Sequence, residues 1–388
     1  MKITFYTLVL CLLGWNCQAS LRALRIDPSY FYKLYPGLST DLIIDDVISS
    51  AKEAGVNTLY LYAYSPVHGA FYKTDYPLTE IEATYGEGQV FLKLLAKAKG
   101  VGLKVVAVIP ANDFRQVWLT NPSWRSKKAD GSDYKPFERS HLLSAWHPAY
   151  RIWFKGFISD LLKRLPGIYA LELVEPTVDC FWTGEPDYNT VVTSEFFKRY
   201  PQGKLGDTDW KKVRALGITQ LVSIMATLAH QAKILSGVVQ TWPAQSDGNL
   251  HSSDFIRNQV GFDFDGILNL KGLEKVDLIA GEFLWQQWLA EYGNINFTPS
   301  WTTKAANKFI SFVGKRATPI LHVEISPWSG QTSTVTPTVD EFKNTLKVIR
   351  NMGVGIDVYD QSQIQTRDAW SALSIWNTPL TDNTTSEE

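Results

Sequence analysis

The chain has 388 residues, of which 45% are hydrophobic and 20% are charged, and its formal net charge is −1. This composition supports a full hydrophobic core, and the even charge balance argues against nucleic acid or an anionic membrane surface as a partner. Aromatic residues make up 13% of the chain and include 14 Trp. Such an excess of Trp is typical of sites that bind flat or apolar ligand faces.

The first residues have the pattern of a secretory signal peptide. Lys2 gives a positive start, an apolar run extends from Ile3 to Trp15, and small residues before and at Ala19 suit a cleavage site. The run is too short to span a bilayer comfortably, so we expect no stable membrane insertion after cleavage. The sequence therefore predicts export to the periplasm or the medium. Only Cys180 would remain in the mature protein, which predicts no internal disulfide.

Beyond residue 20, apolar β-rich segments alternate with amphipathic helical segments. The predicted strands lie near 21–26, 57–63, 103–109, 168–175, 235–241, 276–282, 319–324 and 355–358. The predicted helices lie near 39–54, 88–99, 147–165, 193–200, 208–234, 303–315 and 338–351, and a last helix starts near 367.

This alternation indicates an α/β protein with a parallel sheet, and eight units over this length indicate a single (β/α)₈ TIM barrel. An open doubly wound sheet is the alternative, which the lack of a Gly-rich phosphate loop after the first strand disfavours. We predict a signal peptide at 1–19, one barrel domain at 20–378 and a polar tail at 379–388.

The residues that follow the strands are rich in rings and polar groups, and in a barrel these positions form the active face. Carboxylates mixed with Trp and Tyr suit a carbohydrate, because its C–H faces stack on rings while its hydroxyls bond to Asp and Glu. The predicted partner is therefore a carbohydrate substrate. The predicted substrate-binding residues are Tyr62, Tyr64, His68, Asp113, Trp182, Trp242, Trp285, His322, Trp328 and Asp357.

Two carboxylates are the predicted catalytic pair. Glu175 ends the fourth strand and Glu324 ends the seventh, so the two can face one another across the barrel mouth. Glycoside hydrolysis needs one carboxyl group to protonate the leaving oxygen and another to attack the sugar or activate water. Asp179 and Glu282 are the reserve candidates. His322 is either a satisfied core histidine or a partner that holds a nearby carboxylate ionised, because the two-residue period places it on one strand face with Glu324.

Other chemistries are poorly supported by the sequence. There is no HExxH or Cys-rich zinc pattern, the six histidines are scattered, and no GxSxG elbow occurs. The segment Asp263–Gly266 suggests a calcium loop only loosely, because the downstream ligands are missing. We therefore expect neither a metal nor a cofactor. A non-catalytic carbohydrate-binding barrel is the alternative function.

Two stretches resemble a known family. The run AGVNTLYLYAYSPVHGAFYKTDYPLT with the later GLKVVAVIP, and the run NPSWRSKKADGSDY with HPAYRIWFKGFISDLLKRLPGIYALEL, are similar to the family 10-like glycosyl hydrolases. That family includes the hydrolase domain of the poly-N-acetylglucosamine-processing enzymes. The resemblance covers about 21–210 well and the remainder loosely. It implies a (β/α)₈ barrel, export, and cleavage of glycosidic bonds in a surface or wall polysaccharide.

The end of the fourth strand departs from that family. Relatives tend to have an Asp-rich DGI…D ending, whereas this chain continues to Glu172, Glu175 and Asp179. The dipeptide at Glu175 instead resembles the Asn-Glu-Pro ending of a large clan of retaining glycosidases, with Val174 in place of the Asn. That likeness implies that Glu175 is the acid/base and Glu324 the nucleophile. The missing Asn would have contacted the sugar 2-hydroxyl.

Overall fold

The computed structural model describes residues 20–84, 88–180, 183–242, 244–245, 247–282, 299–325 and 338–378. The predicted signal peptide and polar tail lie outside these ranges, as do Trp182, Trp285 and Trp328. The predictions made for those segments and side chains therefore stay predictions.

Eight parallel strands close into a barrel within the described ranges, which confirms the predicted single (β/α)₈ fold. Each strand pairs with the next along the chain, and the last strand pairs with the first. Every predicted strand is present, with ends shifted by at most two residues. The strands are β1 Arg22–Ile26, β2 Thr58–Tyr62, β3 Lys104–Pro110, β4 Ala170–Val174, β5 Leu235–Thr241, β6 Leu278–Glu282, β7 Thr318–Glu324 and β8 Gly355–Tyr359.

The helices cover the outside of the barrel. The α-helices in the described residues are α1 Phe31–Leu34, α2 Thr40–Glu53, α3 Val90–Gly100, α4 Arg115–Thr120, α5 Pro148–Arg164, α6 Thr190–Arg199, α7 Thr208–Gln231, α8 Ser253–Val260, α9 Phe264–Leu268, α10 Pro299–Val313, α11 Val339–Arg350, α12 Gln361–Thr366 and α13 Trp370–Leu373. The last predicted helix was misplaced: α12 ends before Arg367, and Asp368 has a φ of 50°, which interrupts the helix before α13 begins.

Polar side chains fix where several of these helices begin. The hydroxyl of Ser39 accepts a hydrogen bond from the Leu42 backbone at the start of α2, and the Asp207 carboxylate does the same for Trp210 at α7. Thr338 and Glu341 form a reciprocal capping box at α11. These caps satisfy backbone N–H groups that have no partner inside a helix, so the sequence marks the strand-to-helix boundaries locally.

Helix α7 is long and apolar enough to match a membrane span by length and composition. In this fold it covers the barrel instead, and 61% of its most apolar window is buried. It also contains the buried Arg214, whose guanidinium donates to the backbone carbonyl of Gln259 at 3.1 Å. The length and composition of α7 are therefore accounted for by its packing in the barrel.

The two-residue period of the strands separates an outer apolar layer from the barrel interior. The interior is apolar at the end where the strands begin, with Ala23, Val106, Ala170, Leu278 and Ile320 in one buried cluster. Towards the carboxyl ends of the strands it becomes charged. This half contains Arg25, Glu172, Glu282, His322, Glu324 and Asp357, all of them buried. The fold thus collects its ionisable groups at the mouth where barrel enzymes keep their chemistry.

Candidate active site

A buried ion network forms the floor of the mouth. Arg25 of β1 lies between two carboxylates: its Nη2 is 2.7 Å from Glu172 Oε1 of β4, and its Nε is 2.6 Å from Asp357 Oδ2 of β8. All three side chains are at most 1% exposed. Because a buried charge is costly unless it is paired, this single guanidinium makes it possible to bury both acids.

His322 connects this floor to the carboxylates above it. Its Nδ1 is 3.0 Å from Asp357 Oδ2, the same oxygen that accepts from Arg25. Its Nε2 points the other way, at 3.3 Å from Glu282 Oε1 and 3.8 Å from Glu324 Oε1. The prediction that His322 partners a carboxylate is consistent with this geometry, in which Asp357 fixes Nδ1 and Nε2 faces the two glutamates.

Three glutamates crowd above His322. The hydroxyl of Thr241 donates to Glu282 Oε2 at 2.7 Å, which holds Glu282 against β5. Glu175 hydrogen-bonds Glu282 and is close enough to Glu324 for their charges to interact. Glu282 and Glu324 are each 7% exposed, whereas Glu175 is half-buried and can be reached from solvent. The two predicted catalytic residues are therefore brought together, and Glu282, a reserve candidate, lies with them.

Glu175 reaches this group through an unusual backbone conformation. It is the first residue after β4, and its N–H still donates to the Val239 carbonyl at 2.9 Å. Continued strand geometry would place its side chain on the outer face with Leu171 and Leu173, which belong to the outer apolar cluster. Its φ is instead 41°, a left-handed value that β-carbon-bearing residues rarely adopt. Strain of this kind tends to persist at functional sites.

The surroundings of Glu175 and His322 shift their pKa values. Burial raises the pKa of Glu175 well above its usual value, and the neighbouring Glu282 and Glu324 raise it further, which favours its protonated form. Burial alone lowers the pKa of His322, but the charge of Glu282 and the hydrogen bond to Asp357 outweigh it and raise the pKa to about 10. His322 is consequently a cation at neutral pH and favours ionised carboxylates beside it.

The donor atoms of Glu282, His322 and Glu324 lie within 4.8 Å of one another, close enough to surround a metal ion. A metal-bound imidazole must present a neutral ring nitrogen. Because His322 faces Glu282, Glu324 and Asp357, these carboxylates favour its protonated form. Paired charges account for the cluster without an ion, so we do not identify these three residues as metal ligands.

Two predicted substrate contacts are corrected by the structure. The ring of Tyr64 is fully buried between Phe114 and Phe157, with centroid distances of 4.9 and 5.8 Å. Trp242 is 2% exposed and packs on Phe264 at 4.2 Å between the barrel and its helices. An aromatic residue after a strand can turn towards the helices as readily as towards the mouth, and neither ring has a face available to a sugar.

Asp357 and Asp179 are both fully buried, and each interacts with neighbouring protein groups. Asp357 is 0% exposed beneath His322, so it acts on other residues rather than on a ligand, which corrects its assignment as a substrate contact. Asp179 is also fully buried, and its carboxylate accepts hydrogen bonds from Tyr134, from Thr183 at 2.7 Å and from the Gly184 backbone at 2.8 Å. These bonds explain why Asp179 is buried, and they leave Glu282 as the stronger reserve candidate.

The remaining predicted contacts lie at or near the mouth. Tyr62 ends β2 on the interior side and is half-buried, within electrostatic range of Arg25 and Glu175. His68 is exposed in the turn of a short hairpin after β2. Asp113 accepts a hydrogen bond from the His141 backbone at 2.9 Å, and burial raises its pKa to about 7. Their contacts with a substrate stay predictions.

Sequence reasoning missed Arg25 and gave Glu172 little weight. Both are single charges inside short apolar strands. Such a residue faces either the barrel interior or the outer layer under the helices, depending on the strand register. Tyr359 was also not proposed as a contact, although it ends β8 with its ring centroid 5.8 Å from that of His322. A signal was present: Arg25, Glu172, His322 and Asp357 all interrupt otherwise apolar strands, and buried charges need one another.

The barrel is similar in fold to several solved structures of glycoside hydrolases. The structure is similar to the PgaB (BpsB) glycoside hydrolase domain from Bordetella bronchiseptica, with a TM-score of 0.66 and 14% identity over 92% of this chain and 98% of that one. It is also similar to a β-galactosidase from the psychrophilic Marinomonas ef1, with a TM-score of 0.65 and 11% identity over 91% and 58% of the two chains.

A third similar structure is α-L-fucosidase isoenzyme 2 from Paenibacillus thiaminolyticus, with a TM-score of 0.60 and 11% identity over 92% of this chain and 49% of that one. No family model matches the chain. No curated protein matches it either. At these identities the likeness establishes the fold, and the resemblance to the barrels of glycosyl hydrolases inferred from the sequence is confirmed at that level.

Proposed function

We propose that this protein is a glycoside hydrolase that cleaves an oligosaccharide or polysaccharide by double displacement. Glu175 is the general acid/base and Glu324 the nucleophile. The observation that carries the proposal is the contrast in protonation: the pKa of Glu175 is raised by burial and by two neighbouring carboxylates, while Glu324 lies beside the cationic His322. A pair of carboxyl groups with opposed protonation states is what glycosidic cleavage requires.

The proposed steps use the two carboxyl groups in turn. The Glu175 proton passes to the glycosidic oxygen as the bond to the anomeric carbon breaks, and a Glu324 oxygen forms a covalent ester with that carbon. A water molecule then replaces the leaving group. Glu175, now ionised, takes one proton from this water while the oxygen of the water attacks the anomeric carbon and releases Glu324. Both residues return to their starting states.

Double displacement is proposed because Glu175 and Pro176 resemble the Asn-Glu-Pro ending of a clan of retaining glycosidases. Donor atoms of Glu282 and Glu324 lie within 4.8 Å, and Glu175 hydrogen-bonds Glu282. The separation of the Glu175 and Glu324 carboxyl groups is the quantity that distinguishes the two mechanisms, at about 5–5.5 Å for retention and about 6.5–9.5 Å for inversion. Glu282 in this scheme accepts the hydrogen bond of protonated Glu175 and so helps it to keep its proton at neutral pH.

The carbohydrate substrate is proposed from the composition of the rim. Tyr62 and Tyr359 are half-buried at the mouth and supply rings, and the three glutamates supply acceptors for hydroxyl groups. Trp182, Trp285 and Trp328 follow strands β4, β6 and β7 in the sequence and stay predicted stacking residues. We further propose export on the basis of the first nineteen residues, to be checked by locating the protein in cell fractions and sequencing its mature N-terminus.

The test is reducing-sugar release from a panel of polysaccharides, hexosamine polymers included, by the wild type, Glu175→Gln and Glu324→Gln. The exposed Glu274→Gln is the matched control. Both site variants should lose a factor of about 10² or more, and the control should keep full activity. For the cleaved polymer, a 2-fluoro glycoside should label Glu324, which peptide mass spectrometry can locate. Wild-type binding without cleavage would instead support a carbohydrate-binding barrel.

A further inference from the structure

The interaction between Arg25, Asp357 and His322 bears on how the proposed reaction is controlled. Asp357 Oδ2 receives both the Nε of Arg25 at 2.6 Å and the Nδ1 of His322 at 3.0 Å. The Arg25 guanidinium is itself fixed on its other side by Glu172 at 2.7 Å. Asp357 is therefore held in place from β1 and holds His322 on β7 in turn.

We propose that Asp357 is a positioning residue: held by Arg25, it fixes the His322 ring so that a cationic Nε2–H faces Glu282 and Glu324. This inference rests on the proposed function and concerns how the nucleophile stays ionised. An aspartate that accepts from one ring nitrogen of a histidine sets the orientation of the other and favours the doubly protonated ring.

The other charged groups that face His322 either favour its cationic form or are paired with one another. Glu282 of β6 and Glu324 of its own strand lie at Nε2 and favour the cation. Glu172 of β4 and Glu175, just after it, are within electrostatic range, and Tyr359 of β8 packs its ring near the imidazole. Arg25 is the opposing positive charge in the network, but its ion pairs are to Glu172 and Asp357.

The arrangement has a consequence for the two catalytic carboxyl groups. A fixed positive charge beside Glu324 stabilises its ionised form, and an ionised Glu324 in turn favours the proton on Glu175. One buried cation therefore supports opposite protonation states at two positions. Free rotation of the His322 ring would remove this directionality, because Nε2 would no longer be held at the two glutamates.

The first experiment measures the ring nitrogens of His322 directly by NMR of the ¹⁵N-histidine-labelled protein. The chain has six histidines, so Gln variants of the other five assign their signals and leave that of His322. The wild-type ring should carry two protons at pH 8. Asp357→Asn should lower the pKa of His322 by about one unit or more, since loss of a neighbouring opposite charge has effects of that size. The control Asp41→Asn removes an exposed carboxylate of α2 that pairs with Lys93 at 2.7 Å, and it should leave the His322 signal unchanged.

If Asp357→Asn does not fold, the protonation of the wild-type His322 ring at pH 8 still tests the proposal. A neutral His322 ring at pH 8 would overturn the proposal, and so would an Nε2 signal that shifts on addition of Zn²⁺ or Mn²⁺, because that lone pair would then be a metal ligand. An unchanged His322 signal in Asp357→Asn would also overturn it.

A second readout separates this proposal from the proposed function. On a substrate that the wild type cleaves, Asp357→Asn should move the acidic limb of the kcat/KM profile to higher pH by about one unit, because Glu324 would be harder to ionise. Asp41→Asn, the exposed control, should leave that limb in place. If no glycan is cleaved but the NMR signals of His322 are as expected, the proposed hydrolase function is refuted and the positioning of His322 by Asp357 is retained. If the ring signal shifts in Asp357→Asn but the limb does not move, Asp357 positions His322 without affecting the ionisation of Glu324, which would overturn that part of the proposal.

Discussion

The barrel contains two sets of acidic residues that differ in how their charge is balanced. Glu172 and Asp357 on the floor share the guanidinium of Arg25, and all three are almost completely inaccessible to solvent. At the mouth, Glu282 and Glu324 lie beside His322, and Glu175 hydrogen-bonds Glu282. The floor acids are paired with a permanent cation, Arg25, whereas the acids at the mouth lie beside a histidine, whose charge depends on pH.

The largest expected effect is on the floor. Arg25→Met leaves two buried carboxylates without their cation, and breaking such a pair costs about 3–5 kcal/mol of unfolding free energy. Urea unfolding of the variant beside Lys93→Met measures this, because Lys93 forms an exposed ion pair of 2.7 Å with Asp41. The surface change should cost at most about 1 kcal/mol. Equal losses in the two variants would show that the floor is not the electrostatic anchor described above.

The second effect separates activity from stability. Glu175→Gln should lower kcat by about 10²–10³-fold while leaving the unfolding free energy unchanged or higher, because the neutral amide can still donate to Glu282 and cannot become charged beside Glu324. Glu172→Gln should show the reverse order: a clear loss of stability with a smaller loss of kcat, since Arg25 loses one partner. Parallel kinetics and urea curves check both. A Glu172→Gln variant that is stable but inactive would place Glu172 in the chemistry.

The third effect is on the pH dependence of stability. The pKa of His322 in the folded protein is raised to about 10 from an ordinary value of 6.5, so its contribution is complete below pH 6.5 and is lost as pH rises to about 10. Across that window the unfolding free energy should fall by up to about 1.4 kcal/mol per pH unit from this group. His322→Gln should flatten the slope and the exposed His68→Gln should not. Equal slopes in urea series from pH 6 to 10 would contradict the cationic His322.

The smallest effect concerns the backbone of Glu175. Glu175→Gly should raise the unfolding free energy by up to about 1 kcal/mol, because relief of a left-handed conformation outweighs the greater chain entropy of glycine. Lys233→Gly is the control, since Lys233 is exposed with a φ of 61° and lacks carboxylate neighbours of this kind. A thermal shift that is smaller for Glu175→Gly than for Lys233→Gly would show that its carboxyl group stabilises the fold.

The fold was predictable because its signals are local. Hydrophobic periodicity marks the strands to within two residues, and caps such as Ser39 mark the helix starts. Glu175 and Glu324 could be located at the mouth from the sequence because the carboxyl end of a barrel strand is a restrictive position. Arg25 was not found because its role depends on Asp357, which lies 332 residues further along the chain. Tyr64 and Trp242 were placed at the mouth because sequence does not give the direction of a side chain beyond a strand.

The closure of the barrel by β8 on β1 also sets the order in which the site can form. Arg25 belongs to the first strand, and its two partners arrive with the fourth and the last. Contacts of such sequence separation close slowly, because the chain loses loop entropy before the pairing rewards it. A nascent chain that stops before β8 therefore has Arg25 with half its counter-charge and His322 without Asp357. Pairing of β8 with β1 therefore closes the barrel and completes the charge network at its mouth at the same time.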